Sequence, residues 1–367
     1  MLGHGVNVMW LTLMFIVSLP LGAAQVQDPA DGKHIKVEAV ADFGDVDALC
    51  FGRAGDEVVC CINQNVVVYK GLRKATSQVL YKHDARIVAC AVNGARTFCA
   101  TADEMGHVII WDLAAGKVVL DKYVGKLSIL AAELRAAKPG SQDETLARAT
   151  FTLEVAWERV KGLAFSPINQ ELLVYGGGVC EPQIRLWRGS DWSQEVKFEG
   201  HKLEVLFAEV VGSPPLLISG SLDSTVRWLD ISSKKLVRSE GKPQEYVVID
   251  GPYPASCAVG GNTVAIGWKR MLADRVDVYD ASSWEKRVSV SMSKYRLSAL
   301  ACVDDGFIVI AGTDSSLRVW DVVRNKDVDV CFPVKEKTIS IRISKDRKTL
   351  LGKTETGIAF LCRLSVN

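Results

Sequence analysis

This chain has no excess of charge of either sign, and it lacks the common catalytic motifs. Its 367 residues include 44 basic and 43 acidic side chains, so the formal net charge at pH 7 is only +1. Proteins that bind the phosphate backbone usually have a basic excess or a basic cluster, so no nucleic-acid partner is expected. The sequence contains no HExxH, GxSxG or P-loop motif. We therefore expect no catalytic residues and do not predict an enzyme.

Metal-ligating and redox patterns are also scarce. The chain has only five histidines, and no two of them have the spacing of metal ligands. It has ten cysteines but no CxxC pair. Most of these cysteines fall in apolar segments, where a free cysteine acts as a small buried hydrophobic residue, whereas Cys180 and Cys331 lie near expected loops. No metal, cofactor or redox site is expected.

The N-terminus differs from the rest of the chain. Residues 8–24 form an uncharged apolar run that ends in small residues, with Gly22 and Ala24 at the −3 and −1 positions of a cleavage site. This pattern predicts a signal peptide at 1–24, a linker at 25–33 and an exported protein, either periplasmic or secreted. The segment before the apolar run contains no Lys or Arg. An uncleaved anchor formed by 8–24, which would place the protein at a membrane, and a misassigned start therefore remain as alternatives.

The remainder of the chain repeats. A short strand ending in an aromatic residue or Leu recurs at intervals of 42, 76, 42, 50, 41 and 41 residues. These intervals fit blades of four strands, with one interval enlarged by an insertion. The pattern predicts an all-β, seven-bladed propeller over 34–367. The anchor residues of the seven units are Tyr69, Trp111, Trp187, Leu229, Tyr279, Trp320 and Leu361.

The unit at 200–241 has the most complete motif. It contains a GH pair, an SGSLD turn and a near-WD dipeptide, and His201 stands 28 residues before Leu229. His83 stands 28 residues before Trp111 in the same way. In these features the chain resembles the WD-repeat family.

The resemblance implies a buried hydrogen-bond chain of His, Ser or Thr, Asp and Trp in each blade. The unit at 200–241 has His201, Ser219 and Asp223, but Leu229 takes the Trp position. The unit that ends at Trp111 has only His83 and Asp103 of the other members. The chain is therefore interpreted as a divergent propeller, held together by apolar packing more than by this polar chain. The residues assigned structural roles are His83, Trp111, Trp187, His201, Asp223 and Trp320.

The last unit has only three strands before the chain ends. The segment at 34–43, HIKVEAVADF, can supply the fourth. A strand from the opposite end of the chain would close the ring and leave no exposed edge.

Two extensions interrupt the repeats. Residues 125–156 lie between a fourth strand and the next first strand, and 127–137 have helical spacing. The second extension, WKRMLAD at 268–274, lies between the second and third strands of the fifth unit. The resemblance implies that both lie on one face, called the top. The alternative is that loops accept insertions anywhere.

The leading hypothesis is a monomeric, non-enzymatic scaffold that binds a protein or peptide through the top face. Trp268 and Arg270 are its candidate contact residues, and packing of Trp268 on the neighbouring blade is the alternative. The rival hypothesis is a propeller that binds or processes a small anionic ligand at the channel mouth. The candidate rim residues are Arg86, Lys161, Glu204, Arg296 and Lys337.

We predict that the mature protein begins near Gln25, because a signal peptidase would remove the residues before it during export. N-terminal sequencing of the natively expressed protein measures this directly. An intact Met1 on a soluble cytosolic protein would contradict the prediction.

Overall fold

The structure is a computed structural model, and part of the chain lies outside its description. The predicted signal peptide at 1–24, the linker at 25–33, Cys180 and Cys331 fall in that part. Among the residues that are described, no helix has the length and apolar character needed to cross a membrane. The described residues are 35–52, 57–70, 76–155, 159–166, 171–178, 181–245, 251–328, 336–344 and 346–366.

Seven antiparallel sheets, each with four strands, form the ring that the repeats predict. The chain enters through β1, Ile35–Asp45. Blade 1 contains β2 Ala48–Phe51, β3 Glu57–Ile62, β4 Asn65–Lys70 and β5 Thr76–Lys82. Blade 2 contains β6 Ile87–Val92, β7 Phe98–Asp103, β8 His107–Asp112 and β9 Lys117–Tyr123. Blade 3 contains β10 Val160–Phe165, β11 Leu172–Gly178, β12 Glu181–Arg188 and β13 Gln194–Phe198.

The other four blades follow the same order. Blade 4 contains β14 Val205–Val211, β15 Leu216–Ser221, β16 Val226–Asp230 and β17 Leu236–Glu240. Blade 5 contains β18 Tyr253–Gly260, β19 Thr263–Lys269, β20 Asp274–Asp280 and β21 Lys286–Met292. Blade 6 contains β22 Leu297–Cys302, β23 Phe307–Gly312, β24 Leu317–Asp321 and β25 Lys326–Val328. Blade 7 contains β26 Thr338–Ile343, β27 Thr349–Thr354 and β28 Ile358–Val366, with β1 as its fourth strand.

Each blade is apolar on both faces, because successive side chains of a strand point to opposite sides of the sheet. Cys60 and Cys61 on β3 illustrate this arrangement. Cys60 packs with Leu361 of blade 7, whereas Cys61 packs with Ile109 of blade 2. The described core consists of seven apolar clusters, one between each pair of neighbouring blades. The eight described cysteines are free thiols and all but Cys257 are buried, which confirms their core role.

The ring closes between the two ends of the chain, as predicted. β1 pairs antiparallel with β28, from Ile35 opposite Val366 to Asp45 opposite Ile358, with two register shifts along the way. Blade 7 therefore combines the first and last strands of the described chain.

The insertion contains two helices rather than the single helix predicted. α1 spans Leu127–Ala136 and α2 spans Gln142–Val155. Ser141 caps α2, since its hydroxyl accepts a hydrogen bond from the Glu144 amide at 3.2 Å. The Glu144 carboxylate accepts one from the Gly140 amide and pairs with Arg148 at 2.8 Å. The Ser-x-x-Glu pattern of a capping box is therefore present in the sequence, and it was missed.

We predict that a chain starting at Val46 does not fold into a stable monomer. It lacks the nine residue pairs that join β1 to β28. At about 0.5–1.5 kcal/mol for each backbone hydrogen bond, this loss approaches the whole stability of about 5–15 kcal/mol of a typical protein. Thermal melting and gel filtration, with a chain starting at Ile35 as the control, test the prediction. Equal melting temperatures for the two chains would contradict it.

Candidate functional site

The connections between strands define two faces of the ring. In an antiparallel blade, the loop from the second to the third strand and the connection to the next blade leave from the same end of the sheet. We call this end the top face. The described part of the insertion, 125–155, and the loop at 270–273 both lie on it, as predicted.

The insertion is anchored to blade 2 and to the core between blades 2 and 3. Leu127, Ala131 and Phe151 are buried in that core. The Phe151 ring meets the edge of Tyr123, the last residue of β9, at 5.3 Å between centroids. Lys126, just before α1, pairs with Glu154 of α2 at 3.1 Å. The helices are therefore a folded part of the propeller.

The outer surface of the insertion carries exposed apolar side chains. Leu146 and Leu153 on α2 are 67% and 70% exposed, and Ile129 on α1 is 64% exposed. Positions 146 and 153 are seven residues apart, so they lie on one side of α2. Large apolar side chains exposed on one side of a helix are typical of a protein contact.

The loop at 270–273 has four residues, as many as the loops 222–225 and 313–316 at the same position in blades 4 and 6, and it is longer than the corresponding loops of the other four blades. The structure differs from the sequence-based prediction at Trp268. Trp268 lies in β19 and is only 4% exposed. It packs with Trp228 and Phe207 of blade 4, which is the alternative left open above. The exposed residues of this loop are Arg270, Met271 and Leu272.

The predicted rim residues form ion pairs with neighbouring carboxylates. Each pair joins elements next to one another at the top of the channel. The pairs are Arg86 with Asp47 at 2.5 Å, Lys161 with Glu204 at 3.8 Å, Arg296 with Asp274 at 3.0 Å, and Lys337 with Glu355 at 2.7 Å. Because every basic rim residue named above has an acidic partner, the rim offers an anionic ligand little uncompensated positive charge.

Blade 4 contains the truncated polar chain that the sequence predicts. His201 lies 3.0 Å from the Asp223 carboxylate and 2.9 Å from the Ser219 hydroxyl, and all three residues are buried. Burial alone would raise the pKa of Asp223, but hydrogen bonds from His201, Thr225 and the Lys202 amide lower it to about 2. Leu229 takes the place of the Trp and packs against blade 3.

Blade 2 contains a complete chain, which corrects the prediction of an incomplete one. The Thr101 hydroxyl lies 2.8 Å from His83 Nε2 and accepts a hydrogen bond from Trp111 Nε1 at 3.2 Å. His83 Nδ1 lies 3.2 Å from the Asp103 carboxylate. Thr101 is thus the fourth member that the sequence analysis missed. It stands 10 residues before Trp111, the same distance that separates Ser219 from Leu229.

Other anchors use different polar partners or none. Trp187 Nε1 donates to Glu195 at 2.9 Å, and buried Arg185 pairs with the same carboxylate at 2.8 Å. Burial opposes ionisation of Glu195, but these two partners outweigh it and hold the pKa of Glu195 below its usual value. Trp320 is half-buried beside the core between blades 5 and 6.

A cavity with mostly apolar walls and a few charged side chains occupies the opposite end of the channel. It has a volume of about 540 Å³ and is lined by first-strand residues that include Glu209 and Arg342. Burial raises the pKa of Glu209, and the nearby Arg342 partly opposes this shift. Tyr175 belongs to the same environment, since Glu209 and Arg342 both influence its pKa, which burial raises. Its ring crosses Gly162, where a Cβ atom would lie 2.3 Å from the phenolic oxygen.

Comparison with known proteins identifies the fold. No protein-family model matches the sequence, and no curated protein matches it. A chain in the crystal structure of the mitotic checkpoint complex superposes with a TM-score of 0.63 at 14% sequence identity. The match covers 87% of this chain and 89% of that chain. At this identity the likeness concerns the fold alone, and the class of protein is a seven-bladed β-propeller.

We predict that Thr101→Val destabilises the protein by about 2–6 kcal/mol, because it removes two buried hydrogen bonds at about 1–3 kcal/mol each. Ser219→Ala removes only the bond to His201 and should cost about half as much. Urea unfolding of both variants, measured beside the wild type, tests the difference. Equal losses would show that Thr101 does not join His83 to Trp111.

Proposed function

We propose that this protein is a non-enzymatic interaction scaffold of the WD-repeat type, which binds a protein or peptide partner through its top face. The observation that carries the proposal is the apolar side of α2. Leu146 and Leu153 remain in water although the helix that bears them is fixed to the core by Phe151. A partner could bury these side chains without first having to order the helix, which lowers the entropic cost of binding.

The loop at 270–273 supports a contact at a second place on the same face. Leu272 is 89% exposed and Met271 is 67% exposed. Arg296 donates a hydrogen bond to the Met271 carbonyl at 3.0 Å, and Asp274 accepts one from the Arg270 amide at 3.1 Å. These bonds hold the loop backbone while its apolar side chains face solvent. In this scheme Arg270 and Leu272 contact the partner, and Trp268 supports the loop from below.

Two further considerations favour a scaffold over an enzyme. The structural neighbour comes from a multi-protein complex, which is a precedent for a propeller of this shape among protein partners. The paired rim charges also leave no obvious acid–base pair at the top of the channel. We propose in addition that the chain acts as a monomer. We also propose that it is exported, because the apolar segment 8–24 has the pattern of a signal peptide.

Binding of a small anionic ligand remains a second candidate, but in a different place from the one predicted. The cavity that contains Glu209 and Arg342 is of a size that small ligands occupy. The rim cations Arg86, Arg296 and Lys337 are neutralised by carboxylates. A ligand would therefore be expected at the cavity on the opposite face, where Arg342 supplies positive charge.

We predict that Leu146→Gln combined with Leu153→Gln weakens partner binding by about 2 kcal/mol, or roughly 30-fold, while the melting temperature stays unchanged. Gln retains helix propensity and removes the apolar surface. Deletion of 125–156 would be less informative, because it also removes Leu127 and Phe151 from the core.

The matched control is Val323→Gln. Val323 is 83% exposed in the turn between β24 and β25, on the face opposite the insertion. Quantitative affinity capture from the native source should identify a protein that the α2 variant loses and the control retains. Binding of that purified partner to each variant then gives the affinity change. Equal capture by all three proteins would contradict the proposed binding surface.

A further inference from the structure

A pair of histidines and an aspartate meet at the top of blade 2. One nitrogen of His83, one nitrogen of His107 and one carboxylate oxygen of Asp103 lie within 4.8 Å of one another, and all three residues are buried. His83 Nδ1 is 3.2 Å and His107 Nδ1 is 3.9 Å from the same Asp103 oxygen. From this arrangement we propose a binding site for a divalent transition-metal ion, with Zn²⁺ as the reference ion.

The equivalent position in blade 4 shows what is unusual. Thr225 stands four residues before Leu229, just as His107 stands four residues before Trp111. The Thr225 hydroxyl satisfies the blade 4 network, since it donates to Asp223 and lies 3.3 Å from His201 Nδ1. Blade 2 therefore replaces a hydroxyl with a second imidazole at the same point.

The second imidazole lacks a partner where it faces the carboxylate. His107 Nδ1 is buried and makes no hydrogen bond, because 3.9 Å to Asp103 is too long for one. His107 Nε2 is 2.6 Å from the Asp121 carboxylate, which accepts a hydrogen bond from the Nε2–H group. Nδ1 then presents a lone pair toward a carboxylate, and only a cation between the two groups makes this arrangement favourable.

The outer contacts resemble those that orient metal ligands. A metal-bound histidine usually donates its other ring N–H to a carboxylate, carbonyl or hydroxyl group. His107 has Asp121 in this position, and His83 has the Thr101 hydroxyl at 2.8 Å. Two imidazoles and one carboxylate, with a fourth position for water, form a ligand set that Zn²⁺ accepts.

The distances from the two histidine Nδ1 atoms to the Asp103 oxygen are close to those of a bound site. Ligands at about 2.0–2.1 Å from a tetrahedral Zn²⁺ lie roughly 3.3 Å apart. The 3.2 Å between His83 Nδ1 and the Asp103 oxygen already fits this value. The 3.9 Å between His107 Nδ1 and the same oxygen would shorten to it with a small movement of the His107 ring. With the metal on Nδ1, the ring proton of neutral His83 lies on Nε2, where the Thr101 hydroxyl accepts a hydrogen bond from it.

The site lies directly beneath the insertion. The His107 ring stacks on Tyr123 at 4.5 Å, and Tyr123 in turn meets Phe151 of α2. A metal that fixes His107 would therefore also fix the ring on which the insertion rests. This inference does not depend on the identity of any protein partner.

The test uses the full-length chain without a histidine tag, freed of metal by a chelator. After addition of Zn²⁺ and gel filtration, we expect one equivalent of zinc per chain and a higher melting temperature. Co²⁺ should give the visible absorption of a four-coordinate site. His107→Thr places at this position the residue that blade 4 has there, Thr225. This variant should lose the bound zinc and the Co²⁺ absorption, whereas His201→Gln in blade 4 should keep both.

Asp121→Asn provides a variant at a partly exposed position that does not disturb the core. It should weaken zinc affinity by about 10- to 100-fold, the usual effect of removing an outer-shell carboxylate. Failure of the wild-type protein to retain either metal would overturn the proposal. Unchanged zinc binding by His107→Thr would overturn it as well. If His107→Thr does not fold, unchanged affinity in Asp121→Asn is the overturning result.

Discussion

The structure depends on one constraint: every blade is apolar on both faces. Adjacent residues such as Cys60 and Cys61 belong to different clusters, so a single blade can never bury itself. Each blade needs a neighbour on either side, and only a closed ring gives every blade two neighbours. The seven described clusters meet this requirement, because each contains apolar residues of two neighbouring blades. The pairing of β1 with β28 matters because it completes the last blade, on which two of those clusters depend.

Because the apolar clusters carry the ring, the polar network within each blade can vary. Blade 2 keeps the full chain from Asp103 to Trp111, whereas blade 4 lacks the indole and blade 3 uses Glu195 instead. Buried polar groups still need partners, so the substitutes are hydrogen-bonded wherever an acceptor is near. Among the described residues several buried polar atoms have no partner, including the indole nitrogens of Trp228, Trp268 and Trp320, and His107 Nδ1 is one that lies in the most complete network. An unpaired ring nitrogen in a network that is otherwise complete indicates a candidate ligand site, whereas a missing Trp in another blade indicates only divergence.

The sequence predicts the ring well because its signal repeats. The anchors, the closing strand, the position of the insertion and the buried cysteines all follow from period and alternation. The packing of Trp268, one of the two alternatives left open, could have been preferred from alternation, since Val264, Ile266 and Trp268 share one side of β19 and all lie in the same cluster. Thr101 was missed because Asp103 follows it by only two residues, whereas Asp223 follows Ser219 by four. The ion pairs of the rim and the meeting of His83 with His107 join segments that only the folded ring brings together, so sequence spacing could not reveal them.

The pairing of β1 with β28 also determines when the ring can close during synthesis. β1 is synthesised more than 300 residues before its partner and must wait for it, because in the described sheets β1 pairs only with β28. Until β28 leaves the ribosome, the growing chain has an open apolar face at each end of its unfinished ring. Pairing across the whole chain is slow compared with local contacts, which prolongs this exposed state. A cell that makes this protein must therefore shield an unfinished arc, and a chain that stops one strand early leaves that arc permanently open.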